Sequence, residues 1–404
     1  MSRHIAVLTT SRADFSHLRW PLQRIIEHPG LNAELIVSGA HLSSEFGYSI
    51  DEIRAAGFTV DHVNENLLSS DSDVGMAKTI GLATLGLADL FSQIRPDVLL
   101  LIADRYELLA PAAAALALRI PIAHIEGGEI STGAIDDAVR NAITKMAHLH
   151  FTPTDVARQR VIAMGEEAWR VHATGAPSLD TLRNQVLLTR DQLEGQLGCR
   201  LEEALSLVAL HPVTLLEDTL AEAPAVFSAL EQLDRQLLFC FPNADAGSRQ
   251  LITQARDFCA KRDNAQVFVN LAPHIYWSLL AQSELLVGNS SSGIMEAPAL
   301  KIPVVNIGIR QQGRLRAANV IDTPADTAAI LAAVARADSE AFRAGLAQME
   351  NPYGDGCAGE RIAQILADAP PRDKLLGKRA LPLKTSAEGG YFFSSGTTPA
   401  NDAG

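Results

Sequence analysis

Cysteine is scarce in this sequence: Cys199, Cys240, Cys259 and Cys357 are the only four in 404 residues, and no two are spaced as a CxxC pair. That excludes a zinc knuckle or a dithiol redox motif, and scattered thiols suit a reducing compartment. Cations are in deficit, with 34 Lys and Arg against 47 Asp and Glu and a net charge of −13. So acidic a surface argues against nucleic-acid or anionic-membrane partners, though not against a local basic pocket. Long apolar runs are missing. The N-terminal MSRHIAVLTTSRADF is interrupted by His4, Arg12 and Asp14 and does not read as a signal peptide. The most apolar stretch, 111–122, contains Arg119 and is too short to span a bilayer. The expectation is a soluble cytoplasmic protein. No internal repeat is present, which excludes collagen and coiled-coil classes. No Gly-x-Gly-x-x-Gly turn follows any strand, which argues against a dinucleotide, and the expectation is no cofactor and no metal.

What is present is an alternation of short apolar runs with longer amphipathic segments. Candidate strands cover 5–9, 34–37, 97–102, 120–125, 206–210, 237–241, 266–269, 284–287 and 303–307, with helical patterns such as 15–27, 138–147, 219–233 and 248–261 between them. This order predicts an α/β protein with two doubly wound, Rossmann-like parallel sheets and a cleft between them. A helical stretch, 178–204, is expected to cross from one lobe to the other. The predicted domains are 1–177 and 178–357, followed by a helix over 358–368 that packs back on the first domain and a tail over 369–404. The tail ends in SSGTTPANDAG, expected to be disordered and without a catalytic role.

Ligands of such sheets sit at the carboxyl ends of strands, so the loops there carry the chemistry. The first offers Thr9-Thr10-Ser11-Arg12-Ala13-Asp14, where hydroxyls, backbone N–H groups and a guanidinium converge to suit an anion, or where Ser11 or Asp14 merely caps a helix. The strand over 97–102 runs into Asp104-Arg105, and the strand over 120–125 into Glu126-Gly127-Gly128-Glu129. Two carboxylates facing one site are the raw material of acid–base chemistry, because their shared field can hold one protonated. Asp136 and Asp137 follow, as a third acidic position or as ordinary acids of a helix N-terminus. In the second half, His211 sits at a strand mouth, and Asn243, Asp245 and Gly247 form another polar strand exit. Ser290-Ser291-Ser292-Gly293 lies between a strand and a predicted helix, a turn suited to a pyrophosphate at the helix N-terminus, with Glu296 one turn on for a ribose. Arg310 opens a basic run, 310–316, in an otherwise acidic chain.

Over residues 1–365 the motifs TTSRADF, SGAHLSSEFG, ADRYE, HIEGGE, IDDAVRNAITKMAHLHF, HPVT, FPNADAGS, GNSSSGIMEAP, NIGIRQQGR and NPYGDG occur in one order. In this the chain resembles the hydrolysing UDP-N-acetylglucosamine 2-epimerases, and relatives that act on UDP-2,4-diacetamido sugars. The resemblance implies the glycosyltransferase B architecture, a homodimer or homotetramer, a nucleotide-sugar substrate and no essential metal or NAD. It also implies a chemistry: UDP is eliminated across C1 and C2 to give a 2-acetamidoglucal, then water adds at C1 and a proton at C2 from the opposite face. By the same resemblance Asp104, Glu126, Asp137 and His211 are the catalytic set. Arg12 matches a pyrophosphate-binding arginine, Ser290 and Ser291 phosphate-binding serines, Glu296 a ribose-binding acid and Arg310 a nearby arginine important to the site. Asp14, Arg105, Asn243, Asp245, Gly247, Ser292 and Gly293, from the same loops, are further expected substrate-binding residues. The alternatives are a non-hydrolysing epimerase, whose HVEAGLR-like text the chain lacks, a glycosyltransferase of the same fold, for which the acids are surplus, and a regulator without turnover.

Overall fold

The computed structural model describes residues 2–44, 48–68, 72–130, 135–213, 216, 218–241, 248–269, 271–379, 383–385 and 391–393. The chain divides into two compact units, the first of Met1–Glu129, Ile135–Pro177 and Cys357–Gly404, the second of Ile130–Ala134 and Ser178–Gly356.

The first unit is built on seven parallel strands: β1 (Arg3–Thr9), β2 (Leu31–Ser38), β3 (His62–Asn64), β4 (Val98–Ile102), β5 (Ile122–Ile125), β6 (Leu149–Thr152) and β7 (Val171–Ala173), in the order β3-β2-β1-β4-β5-β6-β7. The strands are apolar on both faces because helices cover both. Alternate residues go to opposite cores. Ile5, Val7, Leu100 and Ile102 pack with Leu18, Leu22 and Ile25 of the helix Arg12–Glu27 and with Ile362 and Leu366 of the helix Ala358–Asp368. Ala6, Leu8, Leu99 and Leu101 pack with Ala83, Leu87, Phe91, Val139 and Ile143. Continuous burial is why these strands read as unbroken apolar runs.

The second unit repeats the plan with six parallel strands: β8 (Leu205–Ala209), β9 (Gln236–Phe241), β10 (Ala265–Val269), β11 (Leu285–Gly288), β12 (Val304–Ile307) and β13 (Val320–Thr323), ordered β10-β9-β8-β11-β12-β13. One face packs Phe239, Val287 and Val305 with Val226 and Ile330, the other Leu207, Leu286 and Cys240 with Leu193 and Leu279. Burial pushes the Cys240 thiol up, so it behaves as a small apolar residue.

Several elements differ from the sequence reading. β3, β6, β7 and β13, each of three or four residues, are too short to stand out. The segment over 178–204 is two helices, Ser178–Asn184 and Arg190–Leu197, both within the second unit rather than one crossing helix. The longest apolar element is the helix Asp73–Ile94, not 111–122. Over Val74–Ile94 it has mean hydropathy 1.3, long and apolar enough by length and composition to cross a membrane, while Ala83, Leu87 and Phe91 bury one face of it in the first core. Lys78, Thr79, Thr84 and Asp89 hide it in the sequence.

The chain after the last helix of the family-like region also has structure. Arg170, 1% exposed, donates to the carbonyls of Leu375 (2.8 Å) and Gly377 (2.9 Å), and Arg3 donates to those of Leu366 and Ala369. These bonds hold a short helix, Arg372–Leu376, against the first unit, and a pair of antiparallel strands, Leu383–Thr385 and Tyr391–Phe393, follows. Residues 394–404, expected to be disordered, lie outside the described residues.

Among the described residues, burial dominates at five imidazoles of the first unit, His41, His124, His148, His150 and His172. His41, His124 and His148 are each lowered from 6.5 to about 4, because the buried ring resists charging. Their folded values lie below the unfolded one, so the stability they contribute is present above pH 6.5 and lost as pH falls toward 4. The melting temperature is expected to begin falling at about pH 6.5, above the range where ordinary carboxylates protonate. A flat melting curve between about pH 7 and pH 5 by calorimetry contradicts this.

Candidate functional site

In each unit the strand order reverses beside the first strand, between β1 and β4 and between β8 and β11. Neighbouring strands there send their connections in opposite directions and leave a crevice at their carboxyl ends. Of the singled-out loops, those after β1, β4, β8 and β11 stand at these two places, and those after β5 and β12 stand one strand away.

In the first unit, Ser11 is the N-cap of the helix Arg12–Glu27 and accepts from the Asp14 N–H. Asp14, expected at the substrate, is turned inward. At 4% exposure its carboxylate accepts from the Thr10 N–H (3.3 Å) and Thr10 Oγ1 (2.5 Å), and burial raises its pKa despite the opposing charge of Arg105. Asp14 therefore builds the loop. Arg12 lies outside it, paired with Glu52 at 2.6 and 2.9 Å on the surface. An exposed pair of this kind is worth about 0–1 kcal/mol, so a stronger anion displaces it at little cost. Arg105 donates to Glu107 at 2.7 Å; burial alone lowers its pKa, but Glu107 and Asp14 outweigh that and raise it. It is the counter-charge of two buried carboxylates rather than a free cation.

The acids come together around Arg140, which the sequence reading missed. Its side chain is 5% exposed and its guanidinium bonds Asp104, with Asp137 at 3.9 Å on the same helix, Ile135–Met146. The i,i+3 spacing of Asp137 and Arg140 was the available signal. Asp136, half-buried beside them, has its pKa raised by burial and then by the charge of Asp104. A carboxyl held toward the protonated form next to an ion-paired one is an acid–base arrangement.

Glu126 follows β5 and contacts His17 Nδ1 at 2.9 Å. Two adjacent strand ends carry non-glycine residues in the left-handed region, Ala103 (φ 70°) and Glu126 (φ 68°). Each costs on the order of 1–3 kcal/mol and persists only where surroundings over-determine it. Part of that determination is visible. The Ala103 N–H bonds the Ile125 carbonyl, the Glu126 N–H bonds the Phe151 carbonyl, and His124 Nε2 donates to the Ala103 carbonyl at 2.8 Å. His124 is buried and neutral, so this bond fixes its tautomer and tethers the Asp104 loop to β5.

In the second unit Asn289 is the organising residue, also missed. Its side-chain oxygen accepts from the His211 N–H (2.7 Å), its amide donates to the His211 carbonyl (2.9 Å), and its own carbonyl accepts from Arg310 (3.0 Å) and Gln311 (2.9 Å). One buried residue, through its side chain and its main-chain carbonyl, thus ties together the loops after β8, β11 and β12. The His211 ring is lowered to about 3, by burial and then by Arg310, and stays neutral at working pH. A neutral imidazole of this kind offers hydrogen bonds but no positive charge.

The serine turn corrects one expectation. The helix after it, Ser292–Met295, is a single turn and supplies no long aligned dipole, so an anion there depends on hydroxyls and individual N–H groups. Ser290 and Ser291 are partly exposed. Ser292 points inward, 2.5 Å from the Tyr276 hydroxyl and 3.0 Å from Ser290 Oγ. Gly293 is a packing residue, since a Cβ there meets Val304 at 2.8 Å. Glu296, one turn on, is 4% exposed. Asn243, Asp245 and Gly247 lie outside the described residues.

The comparisons agree with this architecture. The family model described as UDP-N-acetylglucosamine 2-epimerase matches residues 23–367. The GDP/UDP-N,N'-diacetylbacillosamine 2-epimerase (hydrolyzing) of Campylobacter jejuni is 36% identical over 80% of this chain and 84% of its own. The UDP-N,N'-diacetylbacillosamine 2-epimerase (hydrolyzing) of Legionella pneumophila is 34% identical over 94% of this chain and 99% of its own. Among solved structures, a UDP-N-acetylglucosamine 2-epimerase homologue from Listeria monocytogenes shares the fold with TM-score 0.76 at 17% identity, covering 91% of this chain and 96% of its own. The match of the family model, together with relatives above 30% identity over most of the chain, places this protein in the UDP-N-acetylglucosamine 2-epimerase family.

Proposed function

We propose that the protein is a hydrolysing 2-epimerase that converts a UDP-2-acetamido sugar and water to UDP and the free sugar inverted at C2. The observation that carries the reading is the pair of adjacent strand ends after β4 and β5. They bear Asp104 and Glu126 in strained loops, one bonded to a guanidinium and the other to an imidazole. Removing a proton from C2 and returning one to the opposite face calls for two positioned acid–base groups. Departure of UDP calls for hydrogen-bond donors and cations on the diphosphate, the part we assign to Ser290, Ser291, Arg310 and Arg12, with neutral His211 as a donor and Glu296 for the ribose. The net reaction transfers no electrons, so the reading calls for no redox cofactor. It pairs with a homo-oligomer in the cytoplasm, without nucleic-acid or membrane partners.

For the sugar, the relatives at 36% and 34% identity favour the 2,4-diacetamido-2,4,6-trideoxy substrate, UDP-N,N'-diacetylbacillosamine. UDP-N-acetylglucosamine, the substrate in the description of the family model, is the second reading. A proton NMR time course in D2O with each nucleotide sugar tests both. Free UDP and a free manno-configured sugar carrying deuterium at C2 are expected, faster with the diacetamido substrate. A product still linked to UDP moves the protein to the non-hydrolysing branch, and absence of turnover with either sugar removes the reading.

A further inference from the structure

We propose that His17 is a positioning residue that passes the proton handled by Glu126 to and from solvent, a role that rests on the epimerase reading above. Two facts of geometry point to it. His17 Nδ1 lies 2.9 Å from Glu126 Oε1, reaching from the helix Arg12–Glu27 to the end of β5. The Glu126 side chain is 13% exposed while that of His17 is 33% exposed, so the contact runs from a secluded carboxylate to a ring open to water. The backbone of Glu126 is held at φ 68°, a strained conformation that persists only where the surroundings over-determine it.

The two acids differ in what they are bonded to. Asp104 is bonded to Arg140, whose guanidinium gives up no proton at working pH. Glu126 is bonded to an imidazole, the side chain that exchanges protons readily near neutrality. In the elimination, the C2–H bond breaks and its proton passes to the Glu126 carboxylate. The C2–H electron pair forms the C1=C2 bond, and the C1–O bond gives its pair to the departing UDP. Protonated Glu126 then hands a proton to His17 Nδ1, and the ring releases one from Nε2 to water. Without the ring, a carboxylate secluded from solvent must wait for a water molecule before each turnover.

His17→Ala tests the relay. Its kcat for UDP release is expected to fall about 100-fold, in the range typical of lost proton-transfer groups, with KM and the affinity for UDP little changed. Because the ring is partly exposed, added imidazole is expected to fill the space and restore turnover in proportion to its concentration. His17→Gln, which keeps a hydrogen-bond donor of similar reach but exchanges no proton, is expected to stay slow. Wild-type rates in either variant, or a natively folded His17→Ala protein that imidazole does not restore, overturn the relay and leave His17 as a structural contact. An active wild type with an unaffected His17→Ala variant removes the relay alone. A wild type that releases no UDP from either nucleotide sugar removes the relay together with the epimerase reading.

Discussion

Asp104→Asn is expected to lower kcat by about three orders of magnitude while UDP binds as before. The substitution changes one oxygen to an amide at the carboxyl end of β4 and keeps the side-chain shape. It removes the charge bonded to Arg140, whose side chain is 5% exposed, and so takes from a buried guanidinium the nearer of two carboxylates. It also removes the charge that helps to raise the pKa of Asp136. Both the proton transfer and the electrostatics of the neighbouring acids are therefore disturbed. The residues assigned to the diphosphate at the serine turn belong to the other unit and are untouched. A coupled assay for UDP release, with calorimetric titration by UDP and a melting curve as controls, separates these effects. Turnover within tenfold of wild type would remove Asp104 from the catalytic set.

Gly288→Ala is expected to be the most damaging single-methyl change in the second unit. Gly288 closes β11 at φ 143°, and a Cβ built there lies 2.1 Å from the carbonyl oxygen of Ala209 and 2.6 Å from its carbonyl carbon. Those atoms are backbone of β8, and they cannot rotate away. The strand pair is fixed on both sides of the clash, by the register of Gly288 with Ala209 and by the Asn289 N–H on the Ala209 carbonyl at 3.1 Å. Overpacking of about 1–3 kcal/mol and backbone strain of similar size together give about 2–6 kcal/mol. Opening this joint also separates Asn289 from His211, so UDP affinity is expected to fall with stability. Denaturant titration gives the first quantity and calorimetry the second; a variant with wild-type stability contradicts the geometry.

The sequence singled out the loops of the candidate site but not the contacts that hold them. Asp104, Glu126, His211 and Ser290 were legible because each follows an apolar run, and a doubly wound sheet presents such positions at its carboxyl edge. What escaped were residues whose roles depend on contacts across the fold. His17 lies 109 positions from Glu126, and Asn289 lies 78 from His211, separations that no local pattern bridges. The buried partners of Asp14 and Arg105 were hidden for the same reason: a charged residue in a strand-exit loop looks alike whether it faces outward or braces the loop. The helix after the serines stops after one turn, where the apolar pattern begun by Ile294 and Met295 breaks at Glu296 and Pro298.

The helix Ala358–Asp368 bears on how the chain is made. It seals the core against Leu18, Leu22 and Ile25, near the opposite end of the sequence, and Arg170 fastens the segment that follows it. The second unit is thus inserted between two parts of the first. A ribosome delivers the whole of Ser178–Gly356 before the residues that complete the earlier core. The second unit, continuous but for a short piece, can close as it emerges, whereas the first waits with an apolar helix face uncovered until translation is almost done. A nascent chain that stalls or is cut before Ala358 carries that open face into the cell, where it is a site for chaperones or for aggregation.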